Sequence, residues 1–406
     1  MTAFTEAWPS RGADVGSPWI LVRRAACAMA AGVGVGRFVY TPILPLMQAH
    51  AGMSVQTGAV LATANYLGYL VGAVAGTLAP AMIRSRAGFR GSLLVLTATL
   101  TLMPATHEAP AWFALRAVAG VASALVFVIT VSALLPRLRG RRNHLAGWTF
   151  GGAGAGIALS GLLVAGVASV STWQVAWWAS AALTAVFVAG AWRLDTSAVA
   201  VAPGGTPTPR ARTNRWFSAL LAAYTLEGVG YIIAGTFLVA AIEQRTPGLL
   251  GSGAWVLVGL AAFPSCALWA GLSHRWSRPN LLLIALVVQA AGIALPALFG
   301  GAAPALVSAF LFGATFLAIG TIALPVGEHL GVPRAVAILT SGYSAGQVLG
   351  PIVVTPLLRH GYHGALLAGS LIVLGAAVAA AALRLRFPHH LAPAAVTTLR
   401  QEASTR

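Results

Sequence analysis

The chain has 406 residues, of which 58% are apolar and only 8% charged, and its mean hydropathy is +0.82. A water-soluble domain carries roughly 25% charged residues, so this composition excludes a surface that faces water and makes lipid the principal solvent. The formal charge of +17 comes from 25 arginines and no lysine, and these sit in short clusters between long apolar runs, as helix-orienting charges do, not on the continuous basic face that nucleic acid needs.

Residues 1–18 carry Glu6 and Asp14 where a secretory leader would be basic, so they are expected to form a cytoplasmic tail rather than a cleaved signal. A helix needs about 20 apolar residues to cross the hydrocarbon core. In chain order the apolar runs fall at 19–47, 55–80, 91–105, 110–136, 145–170, 175–193, 216–242, 252–272, 280–300, 303–327, 334–358 and 364–386, the third being short. If all twelve cross and the N-terminus lies inside, 21 of the 25 arginines fall on inner segments. Arg245 and Arg359 fall outside, and Arg37 and Arg116 within spans. A missed span would scramble this alternation, so the asymmetry supports both the number and the cytoplasmic placement of both termini. Trp19, Trp112, Trp173, Trp192, Trp216 and Trp276 lie near expected span ends and are read as interfacial anchors.

Run 1 holds Arg37, with Tyr40 and Thr41 three and four residues on, sharing its helix face. A charge at the centre of a span costs roughly 2.5–3.5 kcal/mol on insertion scales, so Arg37 is expected to meet a watery cavity or a partner. A guanidinium there either latches onto backbone carbonyls or binds an anion through its planar fork. Run 2 contributes a polar patch of Asn65, Tyr66 and Tyr69, and run 4 holds Arg116. The Gly151-Gly152-Ala153-Gly154-Ala155-Gly156 stretch of run 5 is read as a place of close helix approach.

Residues 194–215 include Pro203-Gly204-Gly205-Thr206-Pro207-Thr208-Pro209 followed by Arg210, Arg212 and Arg215, a composition that builds no core and marks a cytoplasmic linker. It separates a six-helix bundle at 19–193 from a second at 216–386, which a cytoplasmic tail follows at 387–406. In run 7, Tyr224, Glu227 and Tyr231 fall on one helical stripe. Glu227 is the acid in the middle of a span, where burial favours the protonated carboxyl; it is either a proton-coupling group or half of a fixed ion pair with Arg37 or Arg116. Run 11 places Tyr343 one turn before Gln347, which can both donate and accept. For these softer polar groups helix packing competes with substrate contact. Cys27 and Cys266 sit in separate runs and suggest neither a disulfide framework nor a metal site.

The halves match at a nearly constant offset. Gly34-Val35-Gly36 pairs with Gly228-Val229-Gly230, and Gly152 and Gly156 with Gly346 and Gly350, at 194 residues. Gly58-Ala59 pairs with Gly253-Ala254, and Ala75-Gly76 with Ala270-Gly271, at 195. The expected fold is an all-α integral membrane protein with twelve transmembrane helices in two pseudo-symmetric six-helix bundles, an arrangement that places a solute site between the halves near the midplane.

The string Gly34-Val35-Gly36-Arg37-Phe38-Val39-Tyr40-Thr41-Pro42-Ile43-Leu44-Pro45 resembles the first helix of a bacterial branch of the major facilitator superfamily. Glu227-Gly228-Val229-Gly230-Tyr231, Gly346-Gln347-Val348-Leu349-Gly350-Pro351 and Arg116-x-x-x-Gly120 extend the resemblance over essentially all twelve spans. It implies alternating access about a site lined by spans 1, 4, 7 and 10, a proton-coupling role for Arg116, and a gating role for the basic loop carrying Arg84, Arg86 and Arg90. Two departures count against parts of the pattern. Pro80 stands where that loop usually has an Asp, and run 5 lacks the Gly-Pro of drug–proton antiporters.

The resulting expectation is a monomeric, proton-coupled secondary transporter of a small organic solute in the bacterial inner membrane, without a cofactor. Two buried arginines against one buried acid favour an anionic substrate. Candidate substrate contacts are Arg37, Tyr40, Thr41, Asn65, Tyr224, Tyr231, Tyr343 and Gln347; candidate proton-coupling groups are Glu227 and Arg116. A proton-driven exporter of drug-like compounds and a non-transporting sensor are the alternatives. A membrane-embedded enzyme is disfavoured, because the eight acids lie mostly in loops and form no catalytic cluster.

Overall fold

The computed structural model describes residues 18–79, 85–138, 144–168, 172–196, 213–245, 250–332 and 335–388. Among them every regular element is a helix. Pro18–Met29, Ala30–Val35 and Tyr40–His50 together make span 1. Spans 2 to 6 are Val55–Leu78, Arg86–Leu102 with Met103–Ala105, Ala109–Leu138, His144–Ala168 and Trp173–Ala191. Spans 7 to 12 are Asn214–Arg245, Leu250–Leu272, Arg278–Leu298, Ala302–His329, Ala335–Val354 and His363–Arg384. Eleven are long and apolar enough to cross a membrane, and in span 11 the apolar stretch is Ile338–Val354. Its 20 helical residues still rise about 30 Å, one hydrocarbon thickness.

The polarity of the molecule is inverted relative to a soluble protein. Leu162, Val186, Leu268, Leu371 and Val378 are each at least 60% exposed on the outside, whereas Arg37, Asn65, Arg116, Glu227, Gln289 and Gln347 are buried. Only lipid makes that distribution favourable.

Packing repeats between the halves. Spans 1 and 5, 2 and 4, 3 and 4, and 3 and 6 are neighbours, as are spans 7 and 11, 8 and 10, 9 and 10, and 9 and 12. Glycines explain the closest of these crossings. A Cβ on Gly34 would lie 2.6 Å from the Ala153 carbonyl oxygen, and one on Gly156 2.9 Å from the Gly34 Cα. In the second half a Cβ on Gly228 would lie 2.6 Å from the Tyr343 carbonyl oxygen, and one on Gly346 2.4 Å from that of Thr225. The glycines matched at offset 194 thus make a backbone-to-backbone crossing of the same pair of spans in each half, shifted by about one turn: Gly34 meets Gly156, whereas Gly228 meets Gly346, the mate of Gly152.

The halves meet along spans 5 and 8 and along spans 2 and 11, two contacts that a two-fold exchange of the repeats interconverts. Gly152 and Gly156 seat span 5 on span 1, while Gly151 and Gly154 face Phe263 of span 8. The glycine stretch therefore serves two neighbours on two faces.

Some expectations are corrected. Span 3 starts at Arg86, not 91, because the Ser85 hydroxyl caps it by accepting from the Gly88 N–H at 3.1 Å. Of the expected tryptophan anchors, Trp19 and Trp276 are exposed, but Trp112 and Trp173 are buried edge to face at 5.7 Å, with the Trp112 indole donating to the Met103 carbonyl at 2.9 Å. Most of the tails at 1–18 and 387–406, the central part of the 194–215 linker, and Arg84 lie outside the described residues.

One end of the bundle is rich in arginine. There Arg24 donates to the Arg193 carbonyl at 3.1 Å, Arg90 donates to the Trp192 carbonyl at 3.3 Å and covers its ring, and Arg86 and Arg137 both bind Asp195, at 3.4 and 2.9 Å. Arg86 and Arg90 thus stand in the first turns of span 3 and hold the end of span 6, within the first half.

Candidate functional site

Span 1 is not one helix. After Met29 it widens into a π-helical segment, in which the Gly36 N–H donates to Ala31 five residues back at 2.9 Å, then turns through residues 36–39 and starts a new helix at Tyr40. The local cause is legible. Gly32, Gly34 and Gly36 weaken the helix, and Pro42 lacks the N–H that would bond Phe38 in a continuous helix. In the first turn of a new helix that missing donor costs little. The break frees backbone carbonyls and aims Arg37 inward, as π-bulges at functional sites do.

Arg37 is 4% exposed and lies between the halves. Its Nη2 donates to Gln347 Oε1 of span 11, and its guanidinium lies 4.3 Å from the Tyr69 ring centroid, 5.2 Å from Tyr66 and 5.3 Å from Phe38. Ring faces attract a desolvated cation by up to about 2 kcal/mol each, which offsets part of the burial cost. Arg116, 1% exposed, donates from Nη2 to the freed Arg37 carbonyl at 3.3 Å and lies over the Tyr40 ring at 4.8 Å. Asn65 donates to the Arg116 carbonyl at 3.0 Å, bracing span 4 against span 2.

Neither guanidinium has a carboxylate partner among the described residues. Arg37 Nε, Arg116 Nε and Nη1, and Gln347 Nε2 are all buried donors without a hydrogen-bond partner there. Asn65 Oδ1 is an acceptor left over beside Arg116. Each buried, unmade hydrogen bond costs about 1–3 kcal/mol, more for a charged group, so a concentration of spare donors is an unfavourable state unless a ligand relieves it.

Glu227 is fully buried in span 7, and its partner is neither arginine. Gln289 of span 9 donates to Glu227 Oε1 at 3.3 Å, leaving Glu227 Oε2 and Gln289 Oε1 unpartnered. The ion-pair reading of Glu227 does not hold. On either side of it along the helix, Tyr224 and Tyr231 both stack on Tyr343, at 4.5 and 5.2 Å. The column continues through Phe316 to Phe312, with successive planes within 18° of parallel.

From Arg37 toward the arginine-poor end, hydrogen bonds join the halves. Tyr66 meets Thr236 at 2.7 Å, Thr41 donates to the Gly235 carbonyl at 2.5 Å, and Gln48 and the Tyr362 hydroxyl exchange bonds at 3.0 and 3.2 Å. Thr41 and Gly235 are 194 residues apart, so Thr41 bonds its own repeat mate and marks the pseudo-two-fold axis. On the arginine-rich side of Arg37 the rings of Phe127, Phe150 and Tyr343 are only half-buried.

The structure thus brings Arg37, Gln347, Tyr40 and Arg116 together at the centre, with Tyr231 and Tyr343 beside them. It assigns Thr41 to the closed end, Asn65 to helix packing, and Tyr224 to the far end of the ring column. The four deepest groups, Arg37, Arg116, Glu227 and Gln347, are shut off from solvent in this conformation; the open chamber expected around them is not formed there. Sequence reasoning missed Gln289 and Tyr362. An amide in the middle of span 9 was a usable signal; Tyr362, in a loop, offered none.

Twelve membrane helices in two repeats, closing on a buried charged centre, define a polytopic membrane transporter of the major facilitator type. Residues 29–386 match the family model described as "Uncharacterised MFS-type transporter YbfB", and the chain belongs to that family, a transporter and not an enzyme. No curated protein matches the sequence. Among solved structures the chain is similar to one titled "Crystal structure of nucleoside transporter NupG (D323A mutant)". The TM-score is 0.65 at 15% identity, over 91% of this chain and 100% of that one; at this identity the likeness bears on the fold.

Proposed function

We propose that the protein is a proton-coupled secondary transporter that carries a small organic solute, preferably an anion, across the bacterial inner membrane as a monomer by alternating access. The observation that carries this reading is the set of spare donors on Arg37, Arg116 and Gln347 between the halves, with no carboxylate among the described residues paired to either guanidinium. An anion seated there satisfies those donors and joins span 1 to span 11. The bundles at 19–193 and 216–386 would then rock about it, opening the arginine-rich end to the cytoplasm and, in turn, the Gln48–Tyr362 end to the outside. The positive-inside rule supports that orientation, with both termini cytoplasmic.

Proton coupling is supported at Glu227. The two atoms left alone, Glu227 Oε2 and Gln289 Oε1, are both acceptors, and one proton on the carboxyl gives the pair its missing donor. The gating and proton-coupling roles of Arg84, Arg86, Arg90 and Arg116 have less support, since Arg86 and Arg90 bind within one half and Arg116 braces the break in span 1.

The test is reconstitution. Solutes that stabilise the purified protein are found by thermal shift and then followed in proteoliposomes. Glu227→Gln should keep solute counterflow while losing accumulation driven by a pH gradient. Unchanged gradient-driven accumulation in that variant removes Glu227 from the mechanism.

A further inference from the structure

The geometry points to a ring-bearing carboxylate as the substrate class: a flat aromatic acid whose carboxylate meets Arg37 and Gln347 and whose ring lies against the tyrosines beside them. This rests on the transport reading above and narrows it.

The headgroup follows from the donors. Arg37 Nε, Gln347 Nε2 and the spare nitrogens of Arg116 are buried and unpartnered, and each asks for an acceptor. A carboxylate supplies two oxygens with about four lone-pair directions and fits the planar guanidinium fork. A polyhydroxylated solute would need acceptors and donors in alternation, and around Arg37 the non-donor surface is aromatic: Tyr69 at 4.3 Å, Tyr66 at 5.2 Å and Phe38 at 5.3 Å.

The body of the ligand follows from where the accessible rings are. Tyr343, one turn from Gln347 on span 11, is half-buried while its stacking partners Tyr224 and Tyr231 are buried. Across from it a second series runs from Tyr69 to Phe127 at 6.4 Å and on to Phe150 at 6.2 Å, the last two half-buried. Both series lead from Arg37 toward the arginine-rich end, so a solute approaching from that end meets aromatic rings before it meets charge, and at Tyr343, whose two faces Tyr224 and Tyr231 cover, it meets the ring edge. Offset and edge-to-face ring contacts add to plain apolar burial, which favours an aromatic body over a saturated one of equal size.

Binding of four probes to the full-length protein in lipid nanodiscs, by calorimetry, separates the features: benzoate, cyclohexanecarboxylate, benzamide and acetate. Benzoate should bind tightest, about fivefold above cyclohexanecarboxylate and at least tenfold above both benzamide and acetate. Tyr343→Phe should keep the ring preference with an unfolding midpoint near that of the parent, and Tyr343→Leu should lose the preference while still unfolding cooperatively, at a lower midpoint because two ring stacks are lost. Equal binding of benzoate and cyclohexanecarboxylate, or binding of benzamide as tight as benzoate, overturns the assignment. If labelled benzoate fails to exchange while another solute shows counterflow, the substrate class is wrong and the transport reading stands. If benzoate binds in this order yet neither it nor any other binder crosses the bilayer, the class stands and the transport reading falls.

Discussion

Arg37 is held in place by contacts that leave its charge available. Ring faces and one amide oxygen stabilise a cation without cancelling it, whereas a carboxylate would. Gln347→Glu should therefore act as a built-in competitor. It gives Arg37 an ion-pair partner in a dry site, so affinity for the anionic solute should fall by tenfold or more while the unfolding midpoint holds or rises; tighter anion binding would contradict this account. Arg37→Lys keeps the charge but loses the fork, and each charge-assisted bond lost is worth about 1.5–3 kcal/mol, roughly a 10- to 100-fold weaker dissociation constant. At this scale the sequence was informative wherever polarity stood out against an apolar background, as at Arg37, Arg116 and Glu227. It was silent on pairing: Glu227 to Gln289, or Arg37 to Gln347 across 310 residues, follows from how helices rotate against one another, and side-chain type does not encode that.

At the scale of elements, glycine positions decide how closely helices meet. Gly156→Ala would place a methyl 2.6 Å from the Ala30 carbonyl oxygen, and Gly346→Ala 2.4 Å from that of Thr225. Backbone cannot step aside as a flexible side chain can, so each variant should lose about 1–3 kcal/mol of stability, read as a lower unfolding midpoint in detergent. Gly91→Ala meets nothing within 4 Å in span 3 and should be neutral or gain about 0.5–1 kcal/mol. Equal effects at all three positions would refute the close-crossing argument. The repeat offset of these glycines was readable in the sequence; their division of span 5 into a face for span 1 and a face for span 8 required the fold. The break in span 1 was missed although its causes, Gly32, Gly34, Gly36 and Pro42, were in view, because a continuous apolar run hides a change of helical type.

The whole molecule shows a two-fold device in one of its positions. Repeat mates meet at Thr41 and Gly235, the Gln48–Tyr362 end is tied, and the half-buried rings lie toward the arginine-rich end. Orientation is testable independently of any solute. In a chain freed of its two native cysteines, a membrane-impermeant maleimide added to whole cells should label Arg359→Cys but not Arg86→Cys, which reacts only after the membrane is opened; the reverse pattern inverts the assignment.

The central claim is that a solute held by Arg37 between the two halves is carried across the bilayer. Counterflow of the best-stabilising organic anion into proteoliposomes, measured side by side for the parent chain and Arg37→Ala, tests it most directly. The account predicts saturable exchange by the parent and exchange at the level of empty vesicles for the variant, with both proteins folded by thermal unfolding. Undiminished exchange through a folded Arg37→Ala protein would contradict it.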